Sequence, residues 1–297
     1  MKPHAHSTEF SLHTLLACPA CEAKPALVGG GIAGPWNCEY CGRTYRKAER
    51  GYHLVPDRLP EPLERHQALW EALQKNGSLC YELAPELNLF RKGSTEAEAF
   101  IDFMKLEGVV LDIGCGPQSW QPAYIDPAAQ IEYVGLDPLA GSSLREFTFV
   151  HGLGECLPFV AAGFDNIVIS SSLDHMMDFR RGLQEAARVL KSKGHIYIAM
   201  HEVDDEAENT QLLRRLADIS LRTARQVVNG FRTMGLRRTY DYLRQATSLR
   251  IPKGAKDLFH VYFPTVEDVT HELFKNGVAV TKTGDCPGFL LLQGQKR

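Results

Sequence analysis

The stretch Val109-Val-Leu-Asp-Ile-Gly-Cys-Gly-Pro117 constrains this chain more than any other part of it. An apolar run closed by Asp112 and followed by glycines at alternate positions, Gly114 and Gly116, describes a buried strand whose carboxyl end turns sharply beneath a ligand. Glycine lets the backbone come close to that ligand. The dinucleotide fingerprint Gly-x-Gly-x-x-Gly is excluded, because its third glycine would fall at Ser119. With 297 residues the chain has room for one sizeable α/β domain and a small accessory unit.

The accessory unit announces itself in the cysteines. Of eight, four form the pairs Cys18-Pro-Ala-Cys21 and Cys38-Glu-Tyr-Cys41, separated by sixteen residues. Two such knuckles bring four thiolates into a tetrahedron that suits a structural Zn2+, with no open position for an activated water. The remaining cysteines stand singly among apolar residues, which fits a reducing compartment. No N-terminal apolar segment of signal-peptide form and no run of 18 apolar residues is present, so a soluble, cytoplasmic protein without a membrane span is expected. A net charge of -3 predicts no general affinity for nucleic acid.

Before the glycine turn, residues 1–14 read as a flexible tail and the proline-rich stretch Pro56 to Pro62 as a linker. Ala68, Leu69, Ala72 and Leu73 recur at helical spacing within Glu64 to Lys75, and Ser94 opens a second helical stretch to Leu106. Beyond the turn, Ile131 to Leu136 is a strand ending in Asp137, about twenty residues after the glycines. An aspartate there can accept from both hydroxyls of a ribose, or it can be a turn former. Gly163 to Ser170 is an apolar strand, Phe179 to Leu190 a helix, and Lys191-Ser-Lys-Gly194 a turn into the strand His195 to Met200. The C-terminal part offers the turn Phe263-Pro-Thr265, a helix through Lys275, and closing strands at Gly277–Thr283 and Phe289–Gln293.

The loop Asp112-Ile-Gly-Cys-Gly-Pro-Gln118, the strand-end Asp137, and the order Glu185-x-x-Arg-Val-Leu-Lys-x-x-Gly194 followed by a β-rich run resemble the class I S-adenosylmethionine (SAM) dependent methyltransferases, type 11-like. The resemblance covers Val109 to Glu202. It implies a Rossmann-like seven-stranded SAM methyltransferase domain over 108–297, closed by an antiparallel hairpin, with residues 57–107 capping the cofactor. It implies that SAM lies against Asp112, Gly114, Cys115, Gly116, Asp137, Pro138, Gly154, Glu155 and Ser170. Two positions depart from the family pattern: Leu153 stands where an aspartate commonly accepts from the adenine amino group, and Gln118 where many relatives have a third glycine. Residues 15–56 resemble the zinc ribbon of the small activator protein that partners tRNA and rRNA methyltransferases, and the ribbon that precedes the SAM domain of bacterial 23S rRNA guanine-N1 methyltransferases. Cys18, Cys21, Cys38 and Cys41 would hold the Zn2+. The basic run Arg43 to Arg50, with Tyr45 inside it, is either a phosphate-backbone contact or a solvated loop.

After the fifth strand of such a domain there are nearly sixty extra residues, 203–258. From Gln211 to Lys256 eleven arginines and lysines face two aspartates, and Leu212, Leu213, Leu216, Ile219 and Thr223 follow helical spacing. This basic helical insert is expected over the carboxyl ends of the strands as a substrate lid that favours an anionic acceptor. A charged outer face or a homodimer contact is the alternative. Methyl transfer needs a base only for a hydroxyl or a protonated nitrogen. Asp174 and His175 follow the fourth strand, and His201 and Glu202 follow the fifth, as catalytic candidates; either histidine can instead be structural. Three functions stand open: a methyltransferase for a small or saccharide-type anionic acceptor, an rRNA base methyltransferase, and a non-catalytic SAM-binding or zinc-ribbon adaptor.

Overall fold

A computed structural model of the chain describes residues 11–31, 34–61, 63–82, 84, 89–141, 143–201, 228, 232, 235–245 and 249–297. The strands, in chain order, are β1 (Trp36–Asn37), β2 (Thr44–Ala48), β3 (Gly51–His53), β4 (Gly108–Ile113), β5 (Ile131–Asp137), β6 (Thr148–His151), β7 (Phe164–Ser170), β8 (Leu190–His201), β9 (Val278–Cys286) and β10 (Phe289–Lys296). The helices labelled here are α1 (Gln67–Gly77), α2 (Thr95–Phe103), α3 (Phe179–Val189) and α4 (Val266–Lys275).

Among the described residues these strands form one ten-stranded sheet in the order β1-β2-β3-β6-β5-β4-β7-β8-β10-β9. The middle of it, from β3 through β8, is parallel, and β10 and β9 close one side antiparallel. Seven strands come from the part of the chain beyond residue 108. The other three come from the cysteine-bearing segment, which extends the sheet through the parallel pair β3 and β6. The cysteine spacing alone does not say what the N-terminal unit packs on; the pairing Tyr52 with Val150 and His53 with His151 makes it the sheet's own edge.

Buried on both faces, the central strands are mostly apolar, and alternation decides only which face each side chain serves. Leu111, Ile113, Val134, Leu136, Ile167 and Ile169 point to one side, together with Leu183 and Ala186 of α3, Val269 and Leu273 of α4, and Leu16, Trp36 and Leu54 of the N-terminal segment. Val110, Tyr133, Val168 and Tyr197 point to the other, against Phe100 and Phe103 of α2. Each such aliphatic side chain taken from water contributes about 1.5 to 3 kcal/mol.

The helix ends follow local chemistry. Ser94 Oγ accepts from the Ala97 amide at 3.2 Å, Asp178 accepts from the Arg181 amide at 3.2 Å, and Thr265 and Asp268 form a reciprocal capping box at the start of α4. The turn foreseen at Lys191–Gly194 lies within β8, where the register with β7 jumps from Phe164↔Leu190 to Asn166↔His195. No helix follows β4 among the described residues; 114–130 is an irregular excursion instead. Pro117, Pro122 and Pro127 each remove an amide donor from it, which is incompatible with a helix interior. β6 was not foreseen. Of the expected insert, residues 235–245 are helical, and 203–227 lie outside the described residues, as do the first ten residues of the tail.

Candidate functional site

β4 delivers the chain into a turn in which Gly114 and Gly116 adopt φ of 85° and 87°. A Cβ on Gly114 would lie 2.4 Å from Ser172 Cβ, and one on Gly116 would lie 2.3 Å from Gln118 Oε1. Conformation therefore requires glycine at both positions, and at Gly114 space requires it as well. The Gly114 amide donates to Leu136 O at 2.7 Å and the Gly116 amide to Asp137 Oδ2 at 2.7 Å. Asp137 Oδ1 accepts from the Leu139 amide at 2.7 Å. The strand-end aspartate is thus a turn former and an anchor of the glycine loop.

Above this turn lies a cavity of about 460 Å³, a size typical of small-molecule sites. Its floor is the carboxyl ends of β4, β5 and β7 and the loops that leave them; its roof is Trp70, Leu73 and Gln74 of α1, Tyr81 in the turn that follows, and Leu89 to Arg91. The crevice beyond the carboxyl ends of parallel strands is where open α/β sheets bind ligands.

Gly114, Cys115, Gly116, Asp137, Pro138, Gly154, Glu155 and Ser170 all line this cavity. Ser170 is buried, and its Oγ has no hydrogen-bond partner among the described residues; neither has Gln118 Oε1. Two buried polar atoms left unmatched at one cavity are the kind of groups a polar ligand satisfies. Glu155 turns part of its carboxylate away, Oε1 accepting from the Met177 amide at 2.8 Å, and burial pushes its pKa up. Asp112 does not line the cavity. It lies beneath, accepting from Tyr133 Oη at 2.6 Å and Tyr124 Oη at 2.9 Å, and burial pushes its carboxyl up to about 7 against those two hydroxyls.

Both histidine candidates face the same space. His175 Nε2 is 3.2 Å from Tyr81 Oη, and burial lowers the pKa of its imidazole while nearby Asp174 opposes the shift. His201 is exposed, with Nε2 2.9 Å from Ser171 Oγ and its ring 4.5 Å from that of Phe289. Glu202 lies outside the described residues. Three contributors have no signature in the sequence. Arg145 sends its guanidinium to the carbonyls of Gly116, Gln118, Leu139 and Ala140, stapling the glycine turn to the loop after β5, and stacks 4.0 Å over the Phe149 ring. Ser171 takes a left-handed φ of 50° at the end of β7. His260 reaches the cavity from a segment eighty-five residues after His175 and stacks on it at 4.5 Å.

The four N-terminal cysteines converge. Cys18 and Cys41 sulfurs are 3.7 Å apart, and Cys21 and Cys38 sulfurs 3.8 Å. Four thiolates around Zn2+ at about 2.3 Å place neighbouring sulfurs roughly 3.8 Å apart, so the donor set fits that ion. Tyr45 Oη donates to Cys18 at 3.3 Å, and Arg43 hydrogen-bonds Cys41 through its amide and its guanidinium, the outer contacts a thiolate site uses.

Residues 111–198 match the family described as a methyltransferase domain. The demethylmenaquinone methyltransferase of Corynebacterium efficiens is 43% identical to this chain over 61 residues, 20% of this chain and 26% of the relative. The uncharacterized methyltransferase YcgJ of Bacillus subtilis is 32% identical over 130 residues, 39% of this chain and 51% of the relative. The chain thus spans about a quarter to a half of the length of these curated relatives. Among solved structures, the 1,6-didemethyltoxoflavin-N1-methyltransferase of Burkholderia thailandensis aligns over 86% of this chain and 96% of its own, at 13% identity and a TM-score of 0.48. The methyltransferase-domain match begins one residue before Asp112 and ends within β8, so it contains the glycine turn, Asp137, Ser170 and His175.

Proposed function

We propose that this chain is a SAM-dependent methyltransferase that binds SAM in the cavity over the glycine turn and methylates a small acceptor. One observation carries the reading: in a stretch that matches the methyltransferase domain, Gly114, Gly116 and Asp137 are hydrogen-bonded into one floor beneath a cavity that Ser170 also lines. Asp137 is the residue to receive the ribose hydroxyls, the glycine turn the group carried above it, and the backbone at Leu153, Gly154 and Glu155 the adenine. When bound, SAM supplies a methyl group on a sulfonium, open to in-line displacement. The four-cysteine cluster is the site for a structural Zn2+.

The roof formed by α1, Tyr81 and Phe90 covers part of the cavity, and Trp120, Phe289 and Phe259 add aromatic walls. Such a space favours a small acceptor with an apolar or planar part over a base embedded in folded RNA. Where that acceptor presents a hydroxyl or protonated nitrogen, His201 is the group we assign to take the proton. It is exposed at the cavity wall, and Ser171 Oγ can donate to one ring nitrogen and fix the tautomer.

The test is incubation of the protein with methyl-tritiated SAM and a cell extract, followed by separation of small molecules from RNA and protein. Label in the small-molecule fraction is expected. Label confined to RNA would replace this reading with the rRNA one, and no label despite SAM binding would leave the adaptor reading.

A further inference from the structure

Beside the cavity, a cluster outside the cofactor floor remains without a role. Asp174 and His175 follow β7, and His260 comes in from the segment before α4; one donor atom from each lies within 4.8 Å of the others. The hydrogen bonds around His260 settle which nitrogen is available. Its Nδ1 is 2.8 Å and 2.7 Å from the two carboxylate oxygens of Asp257, and Asp257 is itself fixed by the amides of Phe259 and His260, each at 2.8 Å. An ionised carboxylate only accepts, so Nδ1 carries a proton, and Nε2 is the nitrogen left to bind an ion in place of any proton it holds.

That Nε2 faces Asp174 Oδ2 at 3.6 Å. The gap is too long for a hydrogen bond. It is close to the separation, roughly 3.4 Å, of two ligands bound tetrahedrally to one ion through bonds of 2.0 to 2.1 Å. Asp174 is only 6% exposed, and its partner across that gap is the His260 ring. A cation held between the carboxylate and the ring would bind both at once. His175, stacked on His260, supplies the third donor; its contact with Tyr81 Oη at 3.2 Å is a long one that an ion can displace. The Asp257 contact to His260 is the carboxylate–histidine arrangement that orients metal-bound imidazoles.

We propose that Asp174, His175 and His260 form a second metal site, distinct from the four cysteines, for a divalent first-row transition ion such as Zn2+, Co2+ or Mn2+. Two imidazoles and one carboxylate suit such ions better than the all-oxygen sites of Mg2+ or Ca2+. Because His175 and His260 line the cavity, the ion has a face open to it. On the methyltransferase reading, on which this role rests, a bound ion would supply Lewis-acid chemistry to an acceptor oxygen in that cavity, and His201 would be the residue to take the proton. Metal binding itself does not depend on that reading.

The experiment is a Co2+ titration of the full-length protein carrying one equivalent of Zn2+ in its cysteine site, followed by visible absorption and by metal analysis after desalting. One further equivalent is expected, with the weak ligand-field bands of nitrogen and oxygen ligands and no thiolate charge-transfer band. Asp174→Asn and His260→Gln should each weaken uptake at least a hundredfold, and Asp257→Asn about ten- to a hundredfold. Absence of saturable uptake by the wild type, uptake bearing thiolate bands only, or uptake unaffected by both ligand substitutions would overturn the proposal. The wild-type arm decides even where a variant fails to fold. S-adenosylhomocysteine binding is measured on the same samples: binding without Co2+ uptake removes the metal site and leaves the methyltransferase reading, whereas Co2+ uptake without nucleoside binding does the reverse.

Discussion

Asp112 shows how one residue of a motif can be read correctly for position and differently for purpose. The sequence places it beside the glycine turn, and its pattern is indistinguishable from that of a ligand contact. Yet Asp112 lies inside β4, one residue before the strand end, so its side chain points to the Tyr124 and Tyr133 layer instead of the cavity. Burial raises its pKa from 3.8 to about 7, so the folded chain holds a proton there that the unfolded chain releases near pH 4. The stabilisation is full below about pH 4 and is lost as pH rises through about 7. Asp112→Asn keeps an oxygen for both tyrosines and removes that loss. Its stability relative to the parent should rise between pH 4 and 8 by on the order of 2 to 4 kcal/mol, read from urea denaturation across that range. Gly114, Gly116 and Asp137 were legible from the sequence because turn conformation and strand-end charge are local properties. Arg145 and His260 were not, because what they do depends on carbonyls and rings that only the fold brings near.

At the scale of elements, the periodicity of β4, β5, β7, β8, α3 and the closing hairpin was legible, because each carries a continuous apolar run or a helical stripe long enough to read. β6 escaped, being four residues, Thr148–His151, stabilised by neighbours on both sides. One of those neighbours is β3, and the seam between them is ionisable. His151 Nε2 donates to Pro138 O at 2.8 Å, so its Nδ1 accepts from His53 Nδ1 at 2.6 Å. Burial, with His53 and Arg145 nearby, lowers the His151 pKa to about 4. The folded chain therefore lacks a proton that the unfolded chain takes up near pH 6.5. This stabilisation is present above pH 6.5 and lost as pH falls through about 4. The slope opposes that of Asp112. His151→Gln, which can still donate to the Pro138 carbonyl, should lose this acid sensitivity, and melting curves from pH 7 to 4 should then show a parent that falls more steeply than the variant.

For the whole molecule, the decisive feature is that the cysteine-bearing segment shares the sheet and the core of the rest. Ala17 N donates to Pro158 O at 2.9 Å, Val160 N to Leu15 O at 2.8 Å, Arg181 reaches Glu22 at 2.7 Å, and the buried Lys24 lies 3.8 Å from Glu185. The linker Pro56 to Pro62 suggested a boundary in the sequence because proline marks a change of local conformation and says nothing of packing. A structural Zn2+ in such a segment stabilises the whole domain, not an appendage. Cys38→Ser should release about one equivalent of zinc and lower the single calorimetric transition of the entire protein by several degrees or more. Two transitions, with the upper one unmoved, would mean an independent ribbon. On the proposed function the floor built by Gly114, Gly116 and Asp137 is a SAM site, which calorimetric titration with S-adenosylhomocysteine tests. The wild type should bind with a dissociation constant of the order of ~1 μM, about -8 kcal/mol, and Asp137→Asn should bind at least ~10-fold more weakly while melting within a few degrees of the wild type. No binding by the wild type, or an unchanged affinity in Asp137→Asn, would contradict the account.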